Sequence, residues 1–379
     1  MLRQVSIVFL LLLIVAPFSP AAAAFDTPAS HAIVMDHRTG RVLYGKNIDE
    51  PIPTASMSKM VTVYMLLEEL KNGSVTEDDT FTVSEKAWKK GGSKMFVRVN
   101  DQVRIGDLLR GIIVQSGNDA SIVVAEGLSG TEEAFAAKAT ARMRELGLTD
   151  TTLKNATGWP DPDHRMSVHD LARVAQLTIR HFPEHYEIYS EKSFTFSDIK
   201  QGNRNPVLYS FDGADGLKTG HTEEAGYGLT ASAERDGHRL IVVLTGLGSS
   251  RERSVEANKL MQWAFRTFEN YTIVRAGKAV DEADVWLGQK VRVPLVVGED
   301  VNITMDEAAR KAMEVTAVYE APVPAPIRQG EQVGEMIVRI PDAEPLRVPL
   351  LAGEDVDKLG TVGQIAAAIS YMVFGNEKE

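Results

Sequence analysis

The stretch "YGLTASAERDGHRLIVVLTGLG", residues 227–248, decides the fold class of this chain. An apolar run, a polar turn at Asp236-Gly237 and a second apolar run follow one another, which is the pattern of a β-hairpin. A second hairpin is predicted far upstream, where β-rich runs in "HAIVMDHRTGRVLYGKN" (residues 31–47) flank a turn signal at Arg38-Thr39-Gly40. Sheet-forming segments therefore lie at both ends of one long region.

The region between the two hairpins is predominantly helical. Five segments have the apolar spacing of helices, and they begin near Met57, near Ile105, at Ser121, at Thr131 and at Ser167. After the second hairpin, "ANKLMQWAFRTFEN" (residues 257–270) returns to helical spacing and is predicted to pack on the sheet. Helices gathered between two sheet-forming ends predict one α/β domain over residues 25–270.

The composition changes beyond Tyr271. Residues 271–355 consist of short Val-rich segments interrupted by Pro and Gly, which is the pattern of a small β-rich domain. This part holds few His, Ser–Lys or acidic clusters arranged for chemistry, so we interpret it as a spacer or interaction module.

The N-terminus has the features of an export signal. Arg3 supplies the positive charge, an apolar run follows, and Ala22-Ala23-Ala24 offers a cleavage site before Phe25. The alternative is a retained anchor, although the uninterrupted apolar run is shorter than the ~20 residues that span a bilayer. We predict a signal peptide over residues 1–24, and hence action outside the cytoplasm, in the periplasm.

Charge and cysteine content exclude several classes of function. Removing residues 1–24 takes away only Arg3 among the charged residues, so the formal net charge goes from −11 to −12. Such an acidic chain is unsuited to binding nucleic acid, because phosphate contacts need clustered Lys and Arg. The chain has no cysteine, which excludes disulfides and thiol catalysis.

The last segment, residues 356–379, is predicted to form an amphipathic helix. Its apolar residues at Val362, Ile365, Ile369 and Met372 share one helical face, and the segment is too short to span a bilayer. Two interpretations stay open: the helix lies on the surface of the inner membrane, or it packs on its own β domain.

Two Ser-x-x-Lys pairs compete for the role of nucleophile and base. Ser56 and Lys59 in "PTASMSKMV" open an apolar helix, where residues three apart share a face and unpaired backbone N–H groups are available. Ser197 and Lys200 in "FTFSDIK" have the same spacing but are predicted to lie in a strand, where residues three apart point to opposite faces. The second pair is therefore interpreted as a coincidence.

Two further motifs favour Ser56 over Ser197 as the nucleophile. "QSGND" places Ser116 and Asn118 in a break between two apolar helices, and "DGLKTGHT" places Lys218-Thr219-Gly220 just before an apolar strand. Each motif alone is an ordinary turn. All three in this order within one α/β domain resemble the penicillin-recognising serine enzymes, which carry Ser-x-x-Lys, Ser-x-Asn and Lys-Thr-Gly.

The Ser-Gly-Asn form and the surrounding sequence are similar to D-alanyl-D-alanine carboxypeptidases, the low-molecular-mass penicillin-binding proteins. The resemblance covers nearly the whole chain. It implies a β-lactamase-like transpeptidase domain with an antiparallel sheet and a helical cluster, followed by a small all-β domain. It also implies removal of the terminal D-alanine from peptidoglycan stem peptides and acylation by β-lactam antibiotics, without a cofactor.

The resemblance also implies a role for each matched residue. Ser56 is the nucleophile, Lys59 its base, and Ser116 relays a proton, while Lys218 is a second cation that keeps Lys59 neutral by repulsion. The substrate-binding residues it implies are Asn118, Lys218, Thr219, Gly220, His221, Arg253 and Ser93. The backbone N–H groups of Ser56 and His221 form the oxyanion hole, and Arg253, with Arg251 as its alternative, binds the terminal carboxylate.

Rival functions remain at this level. A β-lactamase needs a rapid deacylation route, usually a Glu that activates water, and "NATGWPDPDHRMSVHD" (residues 155–170) contains no Glu. A DD-endopeptidase acting on crosslinked peptidoglycan is a nearer alternative, and a non-catalytic sensor would be expected to lack a motif residue. The eight histidines are scattered without metal-ligand spacing, so we expect no metal.

Overall fold

The computed structural model describes residues 25–341 and 343–365. The predicted signal peptide and residues 366–379 of the predicted C-terminal helix therefore lie outside the described residues. Residues 361–365 are helical, and Val362 and Ile365 are exposed.

The helices and strands of the described residues have the following bounds. The α-helices are α1 Lys59–Lys71, α2 Glu85–Lys89, α3 Ile105–Ile113, α4 Asn118–Ser129, α5 Glu132–Glu145, α6 Val168–His181, α7 Pro183–Tyr186, α8 Val207–Ser210, α9 Ser250–Thr267 and α10 Glu307–Ala312, with 3-10 helices at Ala55–Ser58 and Glu187–Ser190. The strands of the first domain are β1 His31–Asp36, β2 Val42–Lys46, β3 Thr80–Thr82, β4 Gln102–Arg104, β5 Ser193–Phe196, β6 Ile199–Gly202, β7 Ala214–Thr222, β8 Gly226–Arg235 and β9 His238–Leu247. Those that follow are β10 Glu269–Val274, β11 Ala279–Trp286, β12 Arg292–Val296, β13 Val301–Met305, β14 Glu314–Tyr319, β15 Val323–Pro324, β16 Gln332–Arg339 and β17 Leu346–Ala352.

A five-stranded antiparallel sheet with the order β2-β1-β9-β8-β7 forms the centre of the first domain. Both predicted hairpins are present. Asp236 and Gly237 connect β8 to β9 with φ of 50° and 73°, values that Asp tolerates and Gly adopts freely. Pairing of β1 with β9 brings the N-terminal hairpin beside a segment about 200 residues later, as the register Ile33↔Val243 shows.

The sheet is buried on both faces, because its apolar residues alternate between two cores. Ile33 of β1 and Ile241 of β9 contact the cluster formed with helices α1 and α3–α6. Ala32, Val34 and Leu240 point the other way, into a second cluster with α9. Because successive side chains of a strand point to opposite faces, the continuous apolar runs of β1 and β9 contribute to both cores. The predicted fold class is confirmed.

Helix α4 begins three residues earlier than predicted. The expected start was Ser121, whereas the helix starts at Asn118, with Asp119 in its first turn. The carboxylate of Asp119 accepts hydrogen bonds from the backbone N–H groups of Met95 (2.8 Å) and Phe96 (2.9 Å). Polar residues in the first turn are thus stabilised by contacts that the local spacing does not reveal.

The predicted strand through Ser197 is wrong. Ser197 and Asp198 are the turn between β5 and β6, with φ of 49° and 62°, and Phe196 pairs with Ile199 across it. Ser197 and Lys200 are both exposed. The pair therefore lacks the burial that would lower the pKa of a lysine base.

The second domain is β-rich, as predicted, but contains the short helix α10. A six-stranded sheet with the order β14-β16-β17-β12-β11-β15 and the pair β10-β13 share one apolar cluster. The predicted boundary at 270/271 falls inside β10, which pairs with β13. Thr304 of β13 connects this domain to the first one. Its hydroxyl donates to Asp36 at the end of β1 (2.7 Å), and its carbonyl accepts from Arg41, just before β2 (3.0 Å).

Candidate active site

Ser56 lies in the 3-10 helix that leads into α1. Its Oγ is 2.8 Å from the Nζ of Lys59, so the two residues share a face as the spacing predicts. The preceding residue, Ala55, has a φ of 49°, a strained value for a residue with a side chain. Gly158 allows this conformation, because a Cβ at position 158 would lie 1.8 Å from the carbonyl oxygen of Ala55.

Lys59 is fully buried, and its Nζ has three oxygen partners. They are Ser56 Oγ, Asn118 Oδ1 (2.7 Å) and the carbonyl oxygen of Thr157 (2.5 Å). A neutral amine has two hydrogens and one lone pair, so it can donate to the amide and the carbonyl while it accepts from the serine hydroxyl. The geometry therefore fits a lysine that acts as a base.

The electrostatics of Lys59 agree with this assignment. The pKa of Lys59 is lowered to about 7, chiefly by burial and also by the positive charges of Arg204 and Lys90, against the opposing effects of Asp119 and Glu132. Lys59 and Lys218 repel each other, since the charge of Lys59 lowers the pKa of Lys218, and the expectation that Lys218 keeps Lys59 neutral stays a prediction. Arg204 and Lys90 come from loops to which the sequence assigned no such role.

Ser116 lies in the break between α3 and α4 and is almost fully buried. Its φ of 57° is a left-handed conformation that turns the hydroxyl toward the strand β7. There its Oγ is 2.8 Å from the Nζ of Lys218. Burial lowers the pKa of Lys218 well below its ordinary value, and the positive charges of Lys59, Arg204 and Arg253 add to this effect.

Asn118 connects two loops at the mouth of the site. Its Oδ1 accepts from Lys59, its Nδ2 donates to the carbonyl of Gly91 (2.8 Å), and its backbone N–H donates to the carbonyl of Ser93 (2.8 Å). An amide nitrogen carries two hydrogens, so the second remains available to a carbonyl oxygen of a bound peptide. Ser93 thus lies beside the site, where its hydroxyl accepts from Arg204.

Strand β7 forms the other wall of the site. Lys218, Thr219 and Gly220 are buried within it. A Cβ at Gly220 would lie 2.7 Å from the carbonyl oxygen of Thr54 and 3.1 Å from the backbone nitrogen of Met57, so only glycine lets the strand approach Ser56 closely. His221 follows at the exposed end, with its ring stacked on Tyr227 at 3.8 Å.

Arg253 lies in the first turn of α9 and is 7 % exposed. One of its terminal nitrogens donates to Ser250 (3.2 Å), and the guanidinium lies 5.7 Å from the ring centre of Tyr227. Its Nε is buried without a hydrogen-bond partner among the described residues. Arg251 is exposed instead, so the geometry favours Arg253 of the two as a carboxylate ligand.

The structure adds residues that the sequence analysis missed. Arg204 contacts Ser93 and acts on both buried lysines. Thr157 supplies an acceptor for Lys59, and Asp119 holds the loop after Ser93. His164 is buried, and its pKa is lowered to about 4 chiefly by burial, so it is neutral at physiological pH. A signal was available for Asp119, which directly follows the Ser-Gly-Asn motif.

No helix within residues 25–341 and 343–365 has both the length and the apolarity needed to cross a bilayer. In the same ranges, no group of three or more His, Cys, Asp or Glu side chains is placed to hold a metal ion.

Comparison with known families places these features in context. Residues 18–248 match the D-alanyl-D-alanine carboxypeptidase family, and residues 268–358 match the C-terminal domain of penicillin-binding protein 5. The chain is 38% identical over 341 residues to D-alanyl-D-alanine carboxypeptidase DacA of Haemophilus influenzae, which covers 88% of this chain and 86% of that protein. It is 35% identical over 363 residues to D-alanyl-D-alanine carboxypeptidase DacC of Escherichia coli, covering 92% and 91%.

A solved structure has the same architecture. Penicillin-binding protein 5 from Haemophilus influenzae superposes with a TM-score of 0.79 at 35% identity, covering 89% of this chain and all of that chain. The match spans both domains.

Proposed function

The chain belongs to the D-alanyl-D-alanine carboxypeptidase family, and on this premise we propose that Ser56 is the residue through which it acts. The protein is a serine-type D-Ala-D-Ala carboxypeptidase. The observation that carries the assignment of Ser56 is its hydroxyl 2.8 Å from a buried lysine whose pKa is about 7. The proposed substrates are peptidoglycan stem peptides ending in D-Ala-D-Ala, and β-lactam antibiotics are proposed to acylate the same serine.

The first step is attack of Ser56 on the carbonyl of the penultimate D-alanine. Lys59 takes the hydroxyl proton, and the new C–O bond places negative charge on the carbonyl oxygen. The backbone N–H groups of Ser56 and His221 stabilise this oxyanion. The close approach of β7 to the 3-10 helix at Gly220 supports this pairing, because it brings residue 221 beside the nucleophile.

The second step breaks the C–N bond to the terminal D-alanine. Ser116 donates its hydroxyl proton to the departing nitrogen, and the proton that Lys59 took from Ser56 then passes to Ser116, which leaves Lys59 neutral. The contact of Ser116 with Lys218 supports this relay. Water then attacks the acyl ester on Ser56, with Lys59 again available as base, and releases the shortened peptide.

The terminal carboxylate of the substrate is proposed to bind among Thr219, Lys218 and Arg253. Without a ligand, burial lowers the pKa of Lys218, and the positive charges of Lys59, Arg204 and Arg253 lower it further. A carboxylate placed there raises that pKa again and makes Lys218 the second cation that the family resemblance implies. The site therefore favours a peptide with a free carboxyl end.

The pH dependence of acylation tests the role of Lys59. Because the base must be neutral, the second-order rate constant for labelling by a penicillin is expected to rise tenfold per pH unit below about 7 and to level off above it. The rate constant is measured between pH 5 and 9. A profile that is flat, or that keeps rising to pH 9, contradicts a lysine neutralised by burial.

Replacement of Arg253 by alanine tests the carboxylate site. We expect kcat/KM for D-alanine release to fall by about 10- to 100-fold, because a charge-assisted hydrogen bond in a desolvated site is lost. Arg251→Ala is the matched control and is expected to retain activity. Unchanged kinetics in Arg253→Ala with a loss in Arg251→Ala would reverse the assignment.

Two rivals are separated by substrate. A DD-endopeptidase cleaves crosslinked muropeptides as fast as it trims uncrosslinked pentapeptides. We expect this protein to cleave the uncrosslinked pentapeptides faster. A β-lactamase turns over penicillin rapidly, whereas we expect a long-lived adduct on Ser56. The segment over residues 155–170 supports this, because it offers no Glu to activate water.

The site of action is proposed to lie outside the cytoplasm, as expected for an enzyme of the cell wall. The predicted signal peptide over residues 1–24 supports export. Peripheral attachment to the inner membrane through residues 356–379 remains a proposal, tested by deleting that segment and measuring the protein in membrane and soluble fractions.

A further inference from the structure

A large apolar side chain is exposed at the mouth of the site. Trp159 is 42% exposed, although indole is normally covered in a folded domain. The loop that displays it is held by Asn155, whose Oδ1 accepts from the backbone N–H of Trp159 (3.0 Å) and the hydroxyl of Thr157 (2.9 Å). Because Thr157 is an acceptor for Lys59, one short loop both holds the base and presents the indole.

A lysine from another element covers this indole. Lys90 directly follows α2, and its Nζ is 4.1 Å from the ring centre of Trp159, within the range of a cation–π contact. The next residue, Gly91, accepts the hydrogen bond from Asn118. The Lys90–Trp159 pair therefore bridges the loop that holds the base and the loop that holds Asn118.

The positive charge of Lys90 is only partly balanced. The nearby carboxylate of Glu132 acts on it, but Glu132 is already paired with Lys86 at 2.9 Å. Lys86 pairs with Glu133 as well, at 2.8 Å. Among the described residues, the direct contact of the Lys90 ammonium is the indole face. The mouth of the site thus combines an exposed apolar surface with an available cation.

The position of Trp159 identifies which part of a substrate lies beside it. A side chain at position 92 would place its first carbon 2.8 Å from Asn118 Nδ2 and 3.2 Å from the Trp159 ring. The amide and the indole therefore border the same space. If the second Nδ2 hydrogen of Asn118 holds the peptide carbonyl that precedes the penultimate D-alanine, the residue carrying that carbonyl lies against Trp159.

We propose that Trp159 and Lys90 form the subsite for the side chain of the residue preceding the two D-alanines, and that it selects an aliphatic side chain ending in a carboxylate-bearing group. This inference rests on the proposed function, because it uses Asn118 as the clamp of the peptide. Methylene groups pack on the indole, and the carboxylate pairs with the Lys90 ammonium. A side chain ending in an amine is repelled by the same ammonium.

The test compares two peptides that differ only at this side chain. Nα-acetyl-L-α-aminoadipyl-D-Ala-D-Ala ends in a carboxylate, and Nα-acetyl-L-lysyl-D-Ala-D-Ala ends in an amine. We expect the wild-type kcat/KM to favour the first by about three- to tenfold, and Lys90→Gln to bring the ratio toward one. The ratio within one enzyme cancels any effect of Lys90 on the base Lys59.

Trp159→Leu is expected to lower kcat/KM for both peptides by about fivefold, because the flat apolar surface is reduced. The matched controls are Lys89→Gln and Trp88→Leu, a lysine and an exposed tryptophan on the neighbouring helix α2. Both controls are expected to keep the wild-type ratio and rates.

Two outcomes overturn the inference: an unchanged ratio in Lys90→Gln, or losses in Trp88→Leu equal to those in Trp159→Leu. Labelling of Ser56 by a fluorescent penicillin shows in every variant that the site is folded. If the wild type neither becomes labelled nor releases D-alanine from either peptide, the proposed function itself fails. Normal labelling and release with an unchanged ratio reject only the subsite.

Discussion

Replacing Ser56 by alanine is expected to abolish covalent labelling by a fluorescent penicillin and to lower D-alanine release by about 10⁴-fold or more. The loss is expected to be large because the variant lacks the proposed nucleophile. Among the described serines, Ser56 alone has both a buried lysine at 2.8 Å and a preceding residue with a left-handed φ. The folded state is expected to persist, since the change removes one partly exposed hydroxyl. The measurements are gel fluorescence of the labelled protein and a D-alanine release assay.

Ser197→Ala is the matched control, because Ser197 and Lys200 repeat the spacing of Ser56 and Lys59. We expect full labelling and activity in this variant, since both residues of the pair are exposed in and after the turn between β5 and β6. Loss of the label in Ser197→Ala, with its retention in Ser56→Ala, would show that the nucleophile has been assigned to the wrong pair.

Replacing Lys59 by arginine is expected to slow acylation by about 10²- to 10⁴-fold. Arginine keeps the positive charge but is not deprotonated in proteins, so it offers no lone pair to the Ser56 hydroxyl. The variant therefore separates a base from a fixed charge. The rate constant for penicillin labelling is measured under single-turnover conditions, with thermal unfolding followed in parallel.

A second variant controls for a steric effect of the substitution, because Lys59 is fully buried and arginine is larger. Lys59→Gln is shorter and uncharged, and it likewise cannot take the proton at neutral pH. Both variants are expected to be slow while they unfold cooperatively. Near-wild-type acylation in Lys59→Arg would mean that the ammonium acts only as a charge, and the proposed mechanism would be wrong.

Much of the fold was accessible from the sequence because its signals are local. The β-rich apolar runs that became β1 and β9 and the Asp236-Gly237 turn predict the central hairpins. Thr131 and Ser167 lie at the predicted starts of α5 and α6, where their side chains accept hydrogen bonds from the backbone N–H groups of Ala134 and Asp170. The prediction of short elements was wrong where the local pattern is ambiguous. "FTFSDIK" has the pattern of one alternating strand, and only the pairing of Phe196 with Ile199 shows that it is a hairpin.

The three motifs, their order and the family were determined by the sequence alone, because residue type and spacing carry that information. Tertiary structure alone decided how far the pKa of the buried Lys59 is lowered. Its pKa depends on the distance to Arg204 and Lys90 and on exclusion of water, and the groups responsible come from loops far apart in the chain. The same holds for the Trp159–Lys90 pair at the mouth of the site. Electrostatic and packing energies depend on separation in space, and that separation is set only when the sheet and the helices have packed.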